Sequence, residues 1–293
     1  MCGTLLGPNY TSRRDRRARI SLVTRLVRAS ASAIATAVLA TAPVQAQWLK
    51  YPTPGVPRTA AGVPNLDAPA PRNADGRPDL SGIWLPLDNR PCPSEGCADM
   101  RVGQQFVDMG WGIPGGLPYQ PWAAALTRLR TAELRLDDPN SQCLPTGIVR
   151  MHTTPLFRKV VQTPSLVVIL NERNVWYRQI FTDGRPLDGD PQPTWNGYSV
   201  GKWEGDTLVV QSNGFRDGLW LDSNGSPLTD AATITERIRR PNYGTLEIAL
   251  RVDDPKAYTK PWETTLKQVI VLNSELLDYV CYENEKSVEH FKK

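Results

Sequence analysis

Histidine is almost missing from this chain, with two copies in 293 residues, His152 and His290. That scarcity removes most routes to a protein-held metal, because imidazole is the commonest ligand. Cysteine offers no replacement: "CPSEGC" at 92–97 has the wrong spacing for a zinc ligand pair. Also lacking are the phosphate-cradling and dinucleotide-binding glycine patterns, so neither a metal nor an organic cofactor is expected. No Lys/Arg stripe is present, which argues against nucleic acid as a partner. Long apolar runs are absent as well, so no membrane span is expected in the mature chain.

What is present begins with an address. Arg13, Arg14, Arg16, Arg17 and Arg19 precede the weakly apolar "SASAIATAVLATA", and "APVQA" puts Val44 and Ala46 where a signal peptidase reads small residues. Residues 1–46 are therefore expected to be a signal peptide, cleaved after Ala46, with the mature protein periplasmic or secreted. This leader holds seven arginines and one aspartate, so its removal takes the net charge from +4 to −2. Four cysteines then remain, Cys92, Cys97, Cys143 and Cys281, an even number that in an exported chain reads as disulfides. Three pairings are open. The favoured one closes a small loop with Cys92–Cys97 and ties the middle of the chain to its end with Cys143–Cys281.

Residues 47–78 are rich in Pro and Ala and show no apolar periodicity, so they form an extended leader, either wrapped on the surface or disordered. The folded body spans 79–293. Its one convincing helix is 120–138, where Trp122, Leu126, Leu129 and Leu136 recur near helical spacing; it is expected to pack outside the sheet. From residue 155 onward short β-branched and aromatic segments alternate with turn signals such as "DGRP", "WEGD" and "PNYG". In "TLEIALRV", Leu246, Ile248, Leu250 and Val252 share one face, the period-2 pattern of a strand. Strands following strands predict a mainly β chain, folded as a single antiparallel β-barrel or sandwich.

"GYSVG" at 197–201 fits the G-x-S-x-G pattern of a hydrolase nucleophile. That chemistry needs a strand before the serine, a helix after it, and a downstream acid and histidine. Here Ser199 is followed by "VGKWEGDTLVV", which reads as strand, turn, strand, and the one downstream histidine is His290. Ser199 is expected to be structural, with the glycines serving a sharp turn.

Several pieces carry a resemblance: "PDLSGIW" (78–84), "CLPTGIVR" (143–150), "WNGYSVGKWEGDTLVVQSNGF" (195–215), "DDPKAYTKPW" (253–262) and "CYEN" (281–284). The chain resembles an uncharacterised family of exported bacterial β-rich proteins, whose members often carry histidine where this chain has Tyr198. "SGIW" is also similar to the opening of lipocalin-like barrels, a resemblance that implies a small ligand held inside.

Candidate chemistry follows from polar residues in strands, where one face must turn inward. In "NVWYRQIF", Tyr177 and Gln179 share a face opposite Arg178; in "TITERIRR", Arg237 shares a face opposite Glu236. A charge beside apolar neighbours is either solvated or an interior group with a partner. The functional reading pairs Arg178 or Arg237 with Asp183, Asp217 or Asp222 beside a cavity. Tyr177, Asp183, Arg237, His152 and Tyr198 are the candidate catalytic residues. Arg178, Trp195, Asn196, Trp220 and Asp222 are the candidate ligand contacts. Two functions fit. One is a cofactor-independent acid/base enzyme (a lyase, isomerase or hydrolase) acting on a small aromatic or cyclic compound. The alternative is a non-catalytic ligand carrier or envelope interaction protein. Nothing in the sequence opposes a homo-oligomer.

Overall fold

The computed structural model describes residues 52–87, 104–133, 135–281 and 283. The expected signal peptide, its cleavage point at Ala46, and the pair Cys92 and Cys97 lie outside these residues. The described chain is mainly β and closes into a barrel. Nine strands form its wall: β1 (Gly82–Pro86), β2 (Arg158–Gln162), β3 (Leu166–Asn171), β4 (Tyr177–Phe181), β5 (Tyr198–Glu204), β6 (Thr207–Asn213), β9 (Thr233–Asn242), β10 (Thr245–Asp253) and β11 (Trp262–Ile270). Their order around the wall is β1-β11-β10-β9-β6-β5-β4-β3-β2. A small hairpin of β7 (Leu219–Trp220) and β8 (Pro227–Leu228) forms a separate sheet in the excursion between β6 and β9.

Side-chain alternation builds this wall. In β10, Leu246, Ile248, Leu250 and Val252 are buried while Ala249 and Arg251 face water. β9 repeats the pattern with Ile234, Glu236, Ile238 and Arg240 inward. β1 closes the ring, pairing with β11 at Trp84↔Ile270 and with β2 at Trp84↔Arg158. Trp84 is fully buried and donates its indole N–H to the Leu80 carbonyl at 3.0 Å, which explains the "SGIW" opening physically.

One joint departs from the expected antiparallel pattern. β4 and β5 run parallel and share a single register pair, Phe181↔Val200. The cause lies in residues 182–197: Pro186, Pro191 and Pro193 deny that stretch a strand of its own, and the chain re-enters the sheet in its original direction. A wall stapled at one bridge leaves openings on either side of it.

The helices also correct the sequence reading. Besides a four-residue turn of helix, α1 (Gln104–Val107), the chain forms α2 (Pro121–Ala132) and α3 (Gly147–Thr153). α2 is shorter than the 120–138 expected and presents a different face. Trp122, Leu129 and Leu136 are exposed, whereas Ala123 and Arg130 are buried. Arg130 explains the reversal: its guanidinium lies 4.5 Å from the Trp220 ring centroid and donates to the Gly225 carbonyl at 2.8 Å, so an arginine stem does the packing. α3 is buried along all seven residues, and its His152 reaches the barrel interior.

The Pro/Ala-rich stretch wraps the barrel as two copies of one device. Pro57–Leu66 and Pro71–Leu80 share the pattern P-R-x-A-x-G-x-P-x-L. Both copies fold alike. Arg58 donates to the Gly62 carbonyl at 2.6 Å and Arg72 to the Gly76 carbonyl at 2.7 Å, with Gly62 and Gly76 both at φ +78°. The second copy grips the β5–β6 turn through a two-pronged Arg72–Asp206 pair at 2.8 and 2.6 Å. After the first copy, Leu66 and Ala68 accept from Gly244 and Tyr243 in the β9–β10 turn. The Cys143–Cys281 disulfide, with Cα atoms 5.6 Å apart, ties the segment before α3 to the C-terminal segment.

Candidate functional site

The barrel interior is filled by side chains. Ile180, Leu208, Val210, Ile234, Ile248 and Leu250 pack there with almost no exposure. Among them sits a polar cluster built on Glu236. Arg178 from β4 grips this carboxylate with two prongs, Nη1 donating to Oε1 at 3.0 Å and Nη2 to Oε2. His152 meets Oε1 through Nε2 at 2.7 Å, while its Nδ1 lies 3.4 Å from Gln268 Nε2. That arrangement selects the tautomer with the proton on Nε2: the carboxylate accepts from Nε2–H and Nδ1 accepts from the Gln268 amide. Ser199 and Ser212 complete the cluster, 2.8 Å apart and each accepting from Arg178.

The charges in this cluster are set by burial and by neighbours. Burial alone would raise the Glu236 carboxyl, but Arg178 and His152 hold it well below its ordinary range. Burial pushes His152 below its usual value, outweighing the pull of Glu236, so the imidazole is neutral. Arg158, from β2, is buried without a carboxylate partner among the described residues and donates to the Met151 carbonyl near the end of α3; burial lowers it to about 9.

At the β4–β5 joint, bordering this cluster at Arg178 and Ser199, lies a cleft of about 520 Å³. Trp176, Tyr177, Phe181, Trp195, Asn196 and Tyr198 line it, and Arg178 and Ser199, whose side chains turn into the barrel, border it. Sequence alternation sets the division: along β4, Tyr177 and Gln179 face out while Arg178 and Ile180 face in. Phe181 and Tyr198 lean together with ring centroids 5.6 Å apart. Arg185 stacks on Phe181 at 3.9 Å and Arg216 on Trp195 at 4.3 Å. Asn196 donates from Nδ2 to the Tyr177 carbonyl at 3.0 Å, bridging the two strands where the ladder does not. Its Oδ1 is buried and has no partner among the described residues.

"GYSVG" forms the edge of this cleft. Gly197 has φ +63°, and a Cβ there would sit 2.5 Å from the Asn213 carbonyl and 2.7 Å from the Phe215 ring. Both the backbone angle and the close approach require glycine. Ser199 lies within a strand and bonds Arg178 and Ser212, with no histidine among its hydrogen-bond partners. Among the described residues it lacks the base that a nucleophile requires.

The ten candidate residues separate into groups. Tyr177, Tyr198, Trp195, Asn196 and Arg178 meet at the cleft. His152 belongs to the interior cluster instead. Asp183 is exposed and bound to Arg185 at 2.6 Å, and Arg237 lies on the outer face, paired with Glu204 at 3.0 Å. Trp220 is buried beneath Arg130. Asp222 is fully buried and pushed upward by burial; it accepts from the Met109 and Ser226 backbones and the Ser226 hydroxyl. Thus Arg178 does have an interior carboxylate, but it is Glu236 rather than any of the aspartates. The sequence did carry a signal for Glu236: a carboxylate flanked two residues away on each side by Ile234 and Ile238 shares their buried face.

Among the described residues, no three His, Cys, Asp or Glu side chains come together as a metal site, and no helix is long and apolar enough to cross a membrane. No family model, curated protein or solved structure matches the chain.

Proposed function

We propose that the protein binds a small planar compound, aromatic or cyclic, in the cleft between β4 and β5. The observation that carries this reading is the cleft itself: about 520 Å³ of space bordered by five aromatic side chains, Trp176, Tyr177, Phe181, Trp195 and Tyr198. A filled barrel argues for binding at the wall rather than in a lipocalin-like interior. Binding without turnover is preferred over acid/base catalysis because the supposed catalytic set does not converge. His152 is engaged with Glu236, Asp183 with Arg185, and Arg237 with Glu204. Export remains part of the proposal, supported by the signal-like N-terminus and the Cys143–Cys281 bridge, a bond that oxidising compartments sustain.

Affinity for a ligand of this size should be submillimolar, on the order of 0.1–1 mM by ligand-efficiency reasoning. Saturation-transfer NMR against a panel of aromatic and aliphatic compounds tests the reading. Aromatic compounds should show transfer that weakens in Tyr177→Ala and Trp195→Ala. A panel with no aromatic binder, or binding that both substitutions leave unchanged, would remove the cleft as the site.

A further inference from the structure

We infer that the open edge of β5 takes up an extended, acidic segment of another polypeptide as an added strand. The inference concerns a second cleft and does not depend on the ligand proposed above.

This second cleft, of about 650 Å³, lies across the Phe181↔Val200 bridge from the first. Its lining shows that it runs along a strand edge. Val200, Lys202 and Glu204, from one face of β5, line it together with Gly201 and Trp203, which turn toward the core. A cleft lying over one face of a closed wall would meet alternate residues only. The facing side is the turn after β4. Asp183 accepts from the Arg185 backbone N–H at 3.2 Å and Gly184 has φ +88°, so the chain leaves the ladder there.

Strand register identifies the backbone groups that face this gap. β5 and β6 are joined by Gly205 and Asp206, and Glu204↔Thr207 closes the hairpin. Across so short a turn the closing pair exchanges both hydrogen bonds. Alternation then aims the N–H and C=O of Val200 and Lys202 at β6, and those of Gly201 and Trp203 away from it. On that side β4 offers one bridge, at Phe181. The Trp203 N–H and C=O therefore have no backbone partner among the described residues. Unpaired groups along a strand edge are a template for another strand, which names a polypeptide as the occupant.

Charge selects which strand. Arg77, Arg185 and Lys202 line the cleft, and its one lining carboxylate, Glu204, is engaged by Arg237 at 3.0 Å. Arg77 and Arg185 hold Asp75 and Asp183, whereas Lys202 is exposed and holds no ion pair among the described residues. Carboxylates on an added strand meet that cation, and lysines are repelled by it.

The test follows backbone amides of the isotope-labelled full chain by NMR hydrogen exchange, with and without the peptide acetyl-Thr-Glu-Val-Glu-Val-Thr-amide. In the free protein the Trp203 amide should exchange roughly tenfold faster than that of Lys202, which is paired to β6. The peptide should slow Trp203 and bind roughly fivefold tighter than its Lys-for-Glu counterpart, the size expected of an exposed ion pair. Methylating its internal amides should weaken it roughly tenfold, and Lys202→Glu should reverse the charge preference. A Trp203 amide already protected in the free protein would mean that the edge is paired. Undiminished binding of the methylated peptide would exclude strand addition, and an unchanged preference in Lys202→Glu would place the peptide elsewhere. Any of these results, or no binding of the acidic peptide, overturns the inference, and none of them bears on the aromatic cleft.

Discussion

Glu236 is fully buried, and a buried carboxylate must find inside the protein the partners that water would otherwise supply. It finds a two-pronged guanidinium and an imidazole N–H. Such a pair is weak support for stability as a unit, because desolvating both charges offsets much of their attraction. Breaking it from one side is another matter. Arg178→Met should cost about 3–5 kcal/mol, since it strands the carboxylate and leaves Ser199 and Ser212 without their shared donor. Adding Glu236→Gln to that variant should recover more than half of the loss by removing the stranded charge. Urea unfolding of the two variants measures both values. A double variant no more stable than Arg178→Met would mean that packing, and not the ion pair, sets the cost.

Elements explain why the cleft lies where it does. β4 and β5 meet at one bridge, and the wall beside that bridge is held by Asn196 and by the close approach of Gly197 to Asn213 and Phe215. Gly197→Ala should therefore destabilise the protein by roughly 2–3 kcal/mol, from a strained φ and a collision with backbone. Gly205→Ala is the control: its φ is also positive, at +57°, but no atom lies within 4 Å of the added carbon. It should cost only about 1 kcal/mol, from the φ alone. Thermal unfolding separates the two; equal costs would show that the approach to Asn213 and Phe215 does not matter. This is also the scale at which the sequence stops being legible. Alternation along β4, β9 and β10 fixes which side chains turn inward, so Arg178 facing in and Arg237 facing out can be read directly from period 2. Choosing Glu236 as the partner of Arg178 requires strand order around a closed wall, which alternation does not contain. The cleft depends on a parallel joint formed across a proline-rich loop, where local pattern predicts no pairing at all. α2 misleads for a related reason. Its leucines have helical spacing, yet an arginine stem on Trp220 and the Trp122 indole bonded to the Lys256 carbonyl decide which face docks.

Over the whole molecule, closure comes from three sides. β1 joins the last strand to β2, the duplicated turns hold two hairpin ends, and the disulfide links residues separated by 138 positions. By the chain-entropy argument that crosslink is worth at most roughly 5 kcal/mol. The polar centre nevertheless makes this closed structure sensitive to acid. His152 has a folded pKa below its ordinary 6.5, lowered first by burial and further by Arg158 and Arg178, although Glu236 pulls the other way. The unfolded chain therefore binds a proton near pH 6.5 that the folded chain refuses. Its contribution to stability is complete above pH 6.5 and is lost as the pH falls toward the folded value. Glu236 acts with the same sign at lower pH: its stabilisation is present above 4.5 and lost as the pH falls below. Asp222, raised by burial, has the opposite sign and offsets part of the loss as the pH falls through its raised folded value toward 3.8. Below pH 6.5 histidine contributes a limiting slope of about 1.4 kcal/mol per pH unit for its one proton. His152→Gln keeps a neutral N–H donor toward Glu236 but cannot titrate in that range. Thermal unfolding from pH 7.5 to 5 should therefore show the unsubstituted protein holding its stability down to about pH 6.5 and losing it below, with a smaller loss below 6.5 in His152→Gln. Parallel declines in the two would show that the acid sensitivity arises away from the barrel centre.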